Sequence, residues 1–174
     1  MEKSENQEEK FENQEEKFEN QEEEFENQEE EFENLKKVRT FQRGGKSKSV
    51  HLLENNIVKK SYNSKDIKQI NRFKKEVKIL KFLEEKNCPF VPKLLHVDSQ
   101  RHRFYMTYTG KTLTNTPKNQ KELAKKVKEL HLKYGVMRHR NGKPNYDIYI
   151  SNGTIKDDQI YIIDFGSPHY SILK

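Results

Sequence analysis

The sequence predicts an α+β fold in which a small antiparallel sheet carries one helix and is followed by a second helix and a β-hairpin. Three observations predict it. β-rich runs with turn residues between them occupy KVRTFQRGGKSKSVHLL and NNIVKKSY. Apolar residues recur at three- and four-residue steps over residues 64–84 and again over 117–134. Two further β-rich runs, GTIK and IYIID, flank a polar KDDQ turn near the end of the sequence. With 174 residues, no Trp and 31% hydrophobic residues, the chain supports one modest core and not two.

Composition also narrows the setting. The lone Cys88 excludes an intramolecular disulfide framework, and no stretch approaches the ~18 apolar residues of a membrane span. The opening MEKSENQEEK lacks the apolar core of a secretory signal, so an intracellular, cytoplasmic setting is expected, with no membrane partner. The net charge of +6 hides a division: residues 1–34 hold 16 Glu and 3 Lys, net −13, whereas residues 35–174 hold 31 Lys and Arg against 12 Asp and Glu, net +19. So basic a body attracts polyanions, nucleotides and nucleic acid among them. A Lys-rich coding bias with solvated faces produces the same surplus.

Residues 1–34 form the first expected domain, an acidic heptad-repeat tail. The unit FENQEEK or FENQEEE recurs every seven residues and spaces Phe11, Phe18, Phe25 and Phe32 as heptads. A coiled coil needs two apolar positions per heptad, and the single Phe sits among glutamates that repel at i,i+4. The expectation is a marginal helix or a disordered acidic arm, either a duplicated coding unit or a segment that docks on the basic body or on a partner.

The elements of the body follow in order. Asn55-Asn56 makes a tight connection between the first β-rich runs. Gly45-Lys46-Ser47 is no P-loop, because Thr40 stands where that motif needs Gly and a strand-like run follows it. Ile67, Ile70, Phe73, Val77, Leu80 and Leu83 mark an amphipathic helix, with Glu76 on the edge of its buried face. NCPFVPKLLHVD leads through prolines into a strand, and RFYMTYTG is the next, ending at Gly110. Thr116-Pro117 caps a helix through Leu123, Val127, Leu130 and Tyr134 that stops at Gly135. A basic loop, VMRHRNGKPNY, leads to DIYISNG, and the hairpin after it delivers Asp164 to the end of its second strand.

This order resembles the protein-kinase fold over residues 38–168. IVKK resembles the Lys-bearing third strand, FKKEVKIL the Glu-bearing helix, FYMTYTGKTL the fifth strand and hinge, ELHLKYG the helix before the catalytic loop, and IDFG the metal-binding Asp-Phe-Gly. The resemblance implies a small antiparallel-sheet N-lobe at residues 35–110 with one Glu-bearing helix, and a truncated helical C-lobe at 111–174. Eight residues follow Gly166 and none forms an Ala-Pro-Glu, the style of minimal atypical kinases such as the RIO group and the KEOPS kinase, or of a truncated relative of the kind found in large DNA virus genomes.

The resemblance also assigns roles. ATP and Mg²⁺ are the implied cofactors, with Lys59 on the phosphates and Glu76 holding it by an ion pair. Lys60 takes that place if the strand register shifts by one. Met106 and Tyr108 fall on the nucleotide-binding hinge. Asp147 is the implied base, and Asn152 with Asp164 the metal ligands. HRN at 139–141 offers a second register with Asn141 in place of the base, but Tyr146 then stands where Asn is needed, whereas Asp147 to Asn152 keeps the five-residue step. In that register Asn145-Tyr146 replace His-Arg, Gly153 replaces an apolar residue, and RHRNGKP is an insertion.

Each residue also has a plainer reading. Lys59 is one of 34 basic residues, and Asn152-Gly153 is a hairpin dipeptide needing no metal. The six His residues have no zinc-ligand spacing. Three functions follow: a serine/threonine protein kinase whose protein substrate is open, a pseudokinase working as a nucleotide-binding scaffold, and a basic nucleic-acid-binding module.

Overall fold

Leu53 and Ile57 face each other across a short connection in which Asn55 and Asn56 both take left-handed backbone angles, φ 58° and 57°. Asn tolerates that region better than other side chains, so the expected tight connection forms where two asparagines stand together. It joins β2 (Ser49–Leu53) to β3 (Ile57–Ser61). With β1 (Lys37–Thr40), β4 (Leu94–Asp98) and β5 (Arg103–Thr107) they build a five-stranded antiparallel sheet in the order β1-β2-β3-β5-β4. This computed structural model describes residues 31–41 and 49–173, and the chain divides into two units, Met1–Lys36 and Lys37–Lys174. The expected lobe boundary after residue 110 lies inside the second unit. Residues 31–34 form a helical turn; the repeats at 11–30 and the GKS at 45–47 lie outside the described residues.

β3 is central in the sheet. Its side chains alternate, with Val58 and Lys60 buried and Ile57, Lys59 and Ser61 partly exposed. Lys60 is paired with Val50 of β2 and Phe104 of β5. Next, α1 (Ile67–Glu85) starts at Asp66, whose carboxylate accepts from the Lys68 N–H at 2.8 Å. Its buried residues are Phe73, Glu76, Ile79, Leu80 and Leu83. The expected apolar stripe holds from Phe73 onward, but Ile67 in the first turn is 65% exposed, and Glu76 occupies the centre of the buried face and not its edge.

At the outer end of the sheet Asp98 faces Arg103 across β4 and β5 and accepts from its Nε at 2.6 Å and from the Arg101 N–H at 2.9 Å. Burial pushes the Asp98 carboxyl up, yet these donors outweigh it and hold it below its ordinary 3.8. A depressed folded value means stabilisation that is present above the unfolded value and lost as pH falls through the folded one. Asp98→Asn is therefore expected to melt lower than the parent at neutral pH and to flatten the acid limb below about pH 4, measured by circular dichroism melts.

The second half contains β6 (Lys111–Thr112), α2 (Pro117–Tyr134), β7 (Val136–Arg140), β8 (Lys143–Pro144), β9 (Gly153–Lys156), β10 (Gln159–Ile162) and β11 (Tyr170–Ile172). Thr116 Oγ1 accepts from the Asn119 N–H at 3.2 Å, Pro117 occupies the first turn, and Gly135 ends α2 at φ 71°. Leu123, Val127, Leu130 and Tyr134 are buried as the periodicity requires. Asp157 and Asp158, at φ 50° and 60°, turn β9 into β10. The basic segment expected to be a loop instead forms β7 and β8 around Asn141-Gly142 (φ 54° and 75°), and β7 also pairs with β11. The half expected to be helical thus holds one long helix among the described residues and two three-stranded sheets, β10-β9-β6 and β11-β7-β8.

One core runs from Val58 and Phe104 through Leu80 and Leu83 to Leu123, Ile162 and Phe165, so the molecule is a mixed α+β structure with antiparallel sheets. No helix of the described residues is long and apolar enough to cross a membrane. A Cβ on Gly153 would stand 2.5 Å from Leu113 Cδ1 and 3.0 Å from both Leu123 methyls. The two leucines fill the space that an apolar side chain at 153 would take. Gly153→Val is expected to lose about 1–3 kcal/mol by overpacking, read as a lower urea midpoint at unchanged slope.

Candidate active site

The period-two geometry of β3 turns Lys60 inward toward α1, and its ammonium meets the Glu76 carboxylate at 2.9 and 2.8 Å. The same nitrogen lies 3.0 Å from Asp164 Oδ1, delivered by the chain just after β10. Glu76 also accepts from the Tyr62 hydroxyl and from the Phe165 N–H, the latter at 3.3 Å. Residues 104 positions apart in sequence are thereby joined through one buried ammonium. A Cβ on Gly166 would stand 3.1 Å from both Glu76 Oε2 and Tyr62 OH, so the Asp-Phe-Gly run packs directly on the ion pair.

Two carboxylates and one ammonium leave this cluster with one negative charge. Glu76 is 1% exposed, while the Asp164 side chain is 24% exposed, so the open side of the cluster is Asp164. Burial disfavours the Lys60 ammonium, but Glu76, then Tyr62 and Asp164, more than offset it and raise its pKa well above 10.5. Burial likewise pushes the Glu76 carboxyl up, with the Lys60 ammonium opposing it. Burial and Glu76 push the Tyr62 phenol up too, so it remains a donor. Because the folded Lys60 value exceeds the unfolded one, its contribution is complete below the unfolded value and is lost only as pH rises through the folded value.

Asp164 itself takes φ 68°, a left-handed conformation costing a non-glycine residue about 1–2 kcal/mol. Strain of this kind persists where surroundings over-determine it, and here Lys60 and the buried Phe165 hold both sides.

Asp147 and Asn152 lie on a cleft of about 750 Å³ that also takes in Arg138, Arg140, His169 and Tyr170. Asp147 is exposed, and its backbone N–H donates to Asn145 Oδ1 at 2.8 Å. Asn152 ends a 3₁₀ turn, Ile150–Asn152, and Gly153 is extended at φ −111°, so this dipeptide does not form the hairpin turn its composition suggests. The Asn152 carbonyl accepts from the Ile163 N–H at 2.9 Å, which brings the loop beside the residue preceding Asp164. The chain just before Asp164 is thus tied by its backbone to the loop that carries Asp147 and Asn152.

Lys59 does not join this group. It faces the other side of β3, with Nζ 5.4 Å from the Tyr105 ring centroid, so the register shifted by one residue is the one adopted. Met106 is buried in β5 opposite Val58, and the Tyr108 N–H donates to the Asn56 carbonyl at 2.8 Å where the chain leaves the sheet. Asn141 sits at the exposed tip of the β7–β8 hairpin and is not itself among the residues lining the cleft. Sequence reasoning missed Tyr62 and Tyr170. For Tyr62 a signal existed: Val58, Lys60 and Tyr62 stand at alternate positions, and all three are buried.

Asp164 and Asn152 offer carboxylate and amide oxygens, hard donors of the class Mg²⁺ accepts. Among the described residues no three His, Cys, Asp or Glu side chains gather as a metal cage. The chain matches no protein-family model, and no curated protein matches its sequence.

Proposed function

We propose that this chain is an ATP- and Mg²⁺-dependent phosphotransferase of protein-kinase-like fold, acting on Ser or Thr hydroxyls of a protein. The observation that carries the reading is the buried Lys60 held between Glu76 of α1 and Asp164 after β10. A five-stranded antiparallel sheet with one helix between β3 and β4 supports the kinase-like N-lobe, and Met106–Tyr108 at the exit of β5 supports the hinge.

In this reading Lys60, oriented by Glu76, binds the phosphates. Asp164 and Asn152 hold Mg²⁺, which neutralises charge on the triphosphate when bound. Asp147 takes the proton of the acceptor hydroxyl as its oxygen bonds the γ-phosphorus; the bond to the bridging oxygen breaks and ADP departs. Asp147→Asn keeps the shape and removes the base, so ADP release with a Ser/Thr protein acceptor is expected to drop about 10²–10⁴-fold. An unchanged rate would remove Asp147 from the mechanism.

A second reading, a nucleotide-binding scaffold without turnover, is favoured by the contrast between Glu76 and Asp164, both joined through the buried Lys60 ammonium, and the exposed Asp147. Stabilisation by ATP with Mg²⁺ and no phosphoryl transfer to any acceptor, the protein itself included, would select it.

A further inference from the structure

Beside Asp147 the cleft carries two arginines and a buried hydroxyl with no hydrogen-bond partner among the described residues. Arg138 and Arg140 stand two positions apart on β7, and His169 faces the same space. Arg138 makes one long hydrogen bond, Nη1 to the Asn145 carbonyl at 3.5 Å, which leaves most of its guanidinium fork for another acceptor. Tyr170, paired with Arg138 across β7 and β11, also lines the cleft; it is 1% exposed and its hydroxyl has no hydrogen-bond partner among the described residues. A buried donor left unpaired is uncommon enough to point to a missing acceptor.

We propose that the cleft receives an extended acidic segment of a protein, with carboxylates on Arg138 and Arg140 and its Ser or Thr hydroxyl toward Asp147. This rests on the phosphotransferase reading and names its acceptor class. Side chains at alternate positions of a strand are about 6.6–6.8 Å apart, which is the spacing of alternate residues in an extended peptide, so acidic residues at i and i+2 match the two arginines in register. Guanidinium and carboxylate pair through two parallel hydrogen bonds, a geometry that discriminates against uncharged residues. A single-stranded nucleic acid is less well served: its sites combine a groove tracking the backbone with several stacking rings, whereas one highly exposed aromatic, Tyr149 at 77%, lies on this cleft.

The test uses the full chain and three labelled probes in fluorescence anisotropy: a Ser-containing nonapeptide with Glu at alternate positions, its Gln counterpart, and a single-stranded RNA octamer. The Glu peptide is expected to bind about tenfold more tightly than the Gln peptide at low salt. Arg140→Glu, at an exposed position, is expected to abolish the difference, whereas Lys81→Glu, exposed on α1 and outside the cleft, keeps it. Equal binding of the two peptides, or tighter binding of RNA than of the Glu peptide, overturns the proposal. Loss of ATP-induced stabilisation in Arg140→Glu also overturns it, since the arginines would then serve the triphosphate. Preference for the Glu peptide without its phosphorylation upholds the cleft's selectivity and defeats only the turnover reading. Phosphorylation of both peptides at one rate does the reverse.

Discussion

Lys60→Met is expected to destabilise the protein by about 3–5 kcal/mol and to eliminate ADP release, while Lys59→Met costs under about 1 kcal/mol. The difference follows from which face of β3 each side chain occupies. Met keeps the length and packing of the Lys60 stem but leaves the Glu76 carboxyl, 1% exposed, without its ammonium, so it must either hold an unpaired charge or take up a proton. Removing one partner of a buried pair costs far more than the pair contributes net, because the remaining charge has no solvent. Lys59 is half-buried with its Nζ above Tyr105, where an exposed cation–π contact is worth little. The double variant Lys60→Met/Glu76→Gln is expected to regain most of the stability without regaining activity. Gln carries no charge: its carbonyl, in the place of Oε1, still accepts from the Phe165 N–H, and its amide, in the place of Oε2, donates to the Tyr62 hydroxyl, which accepts as well as donates. Urea titrations of the four proteins measure the stabilities, and an ADP-release assay on the same four measures the activity. Equal losses at Lys59 and Lys60 would contradict the inward placement of Lys60.

At Asp164 the expected effect is on ligand binding more than on folding. ATP with Mg²⁺ at about one hundred times Kd stabilises a binding protein by about 2.7 kcal/mol, so the parent melt should shift upward. In Asp164→Asn that shift is expected to vanish, and ADP release to fall about 10²–10³-fold with the loss of several kcal/mol of charge stabilisation. Asn is the informative replacement because it tolerates the φ of 68°, which Ala would not without strain. Lys60 retains Glu76 in this variant, so the unliganded protein should melt close to the parent. A parent that shows no shift with ATP and Mg²⁺ would defeat the nucleotide-binding reading itself.

Legibility varied along the chain for physical reasons. α2 could be read whole, since its cap, first-turn Pro, apolar spacing and terminal Gly all agree and all act locally. The β7–β8 hairpin was misread as a loop although Asn141-Gly142 is a strong type of hairpin dipeptide; its flanks are polar and exposed, so no apolar alternation announced the strands. Asn152-Gly153 misleads in the opposite direction. There Leu113 and Leu123 occupy the space beside Gly153, so packing selects glycine and no turn is involved. Glu76 looked peripheral because a carboxylate is rarely central in an apolar face, and what keeps it there is Lys60 on a strand that its own helix does not contain.

By itself the sequence determined the two helices, the Asn55-Asn56 connection and the hairpin that ends at Asp164, since each depends on neighbours a few residues away; Asp147, Asn152 and Asp164 became candidates only through the resemblance. Only the tertiary structure decided between Lys59 and Lys60, buried Glu76 under three donors, and set two arginines beside Asp147. Those outcomes depend on which face of a strand meets which face of a helix. Both lysines have the same local chemistry, and the choice between them comes from burial against residues far along the chain.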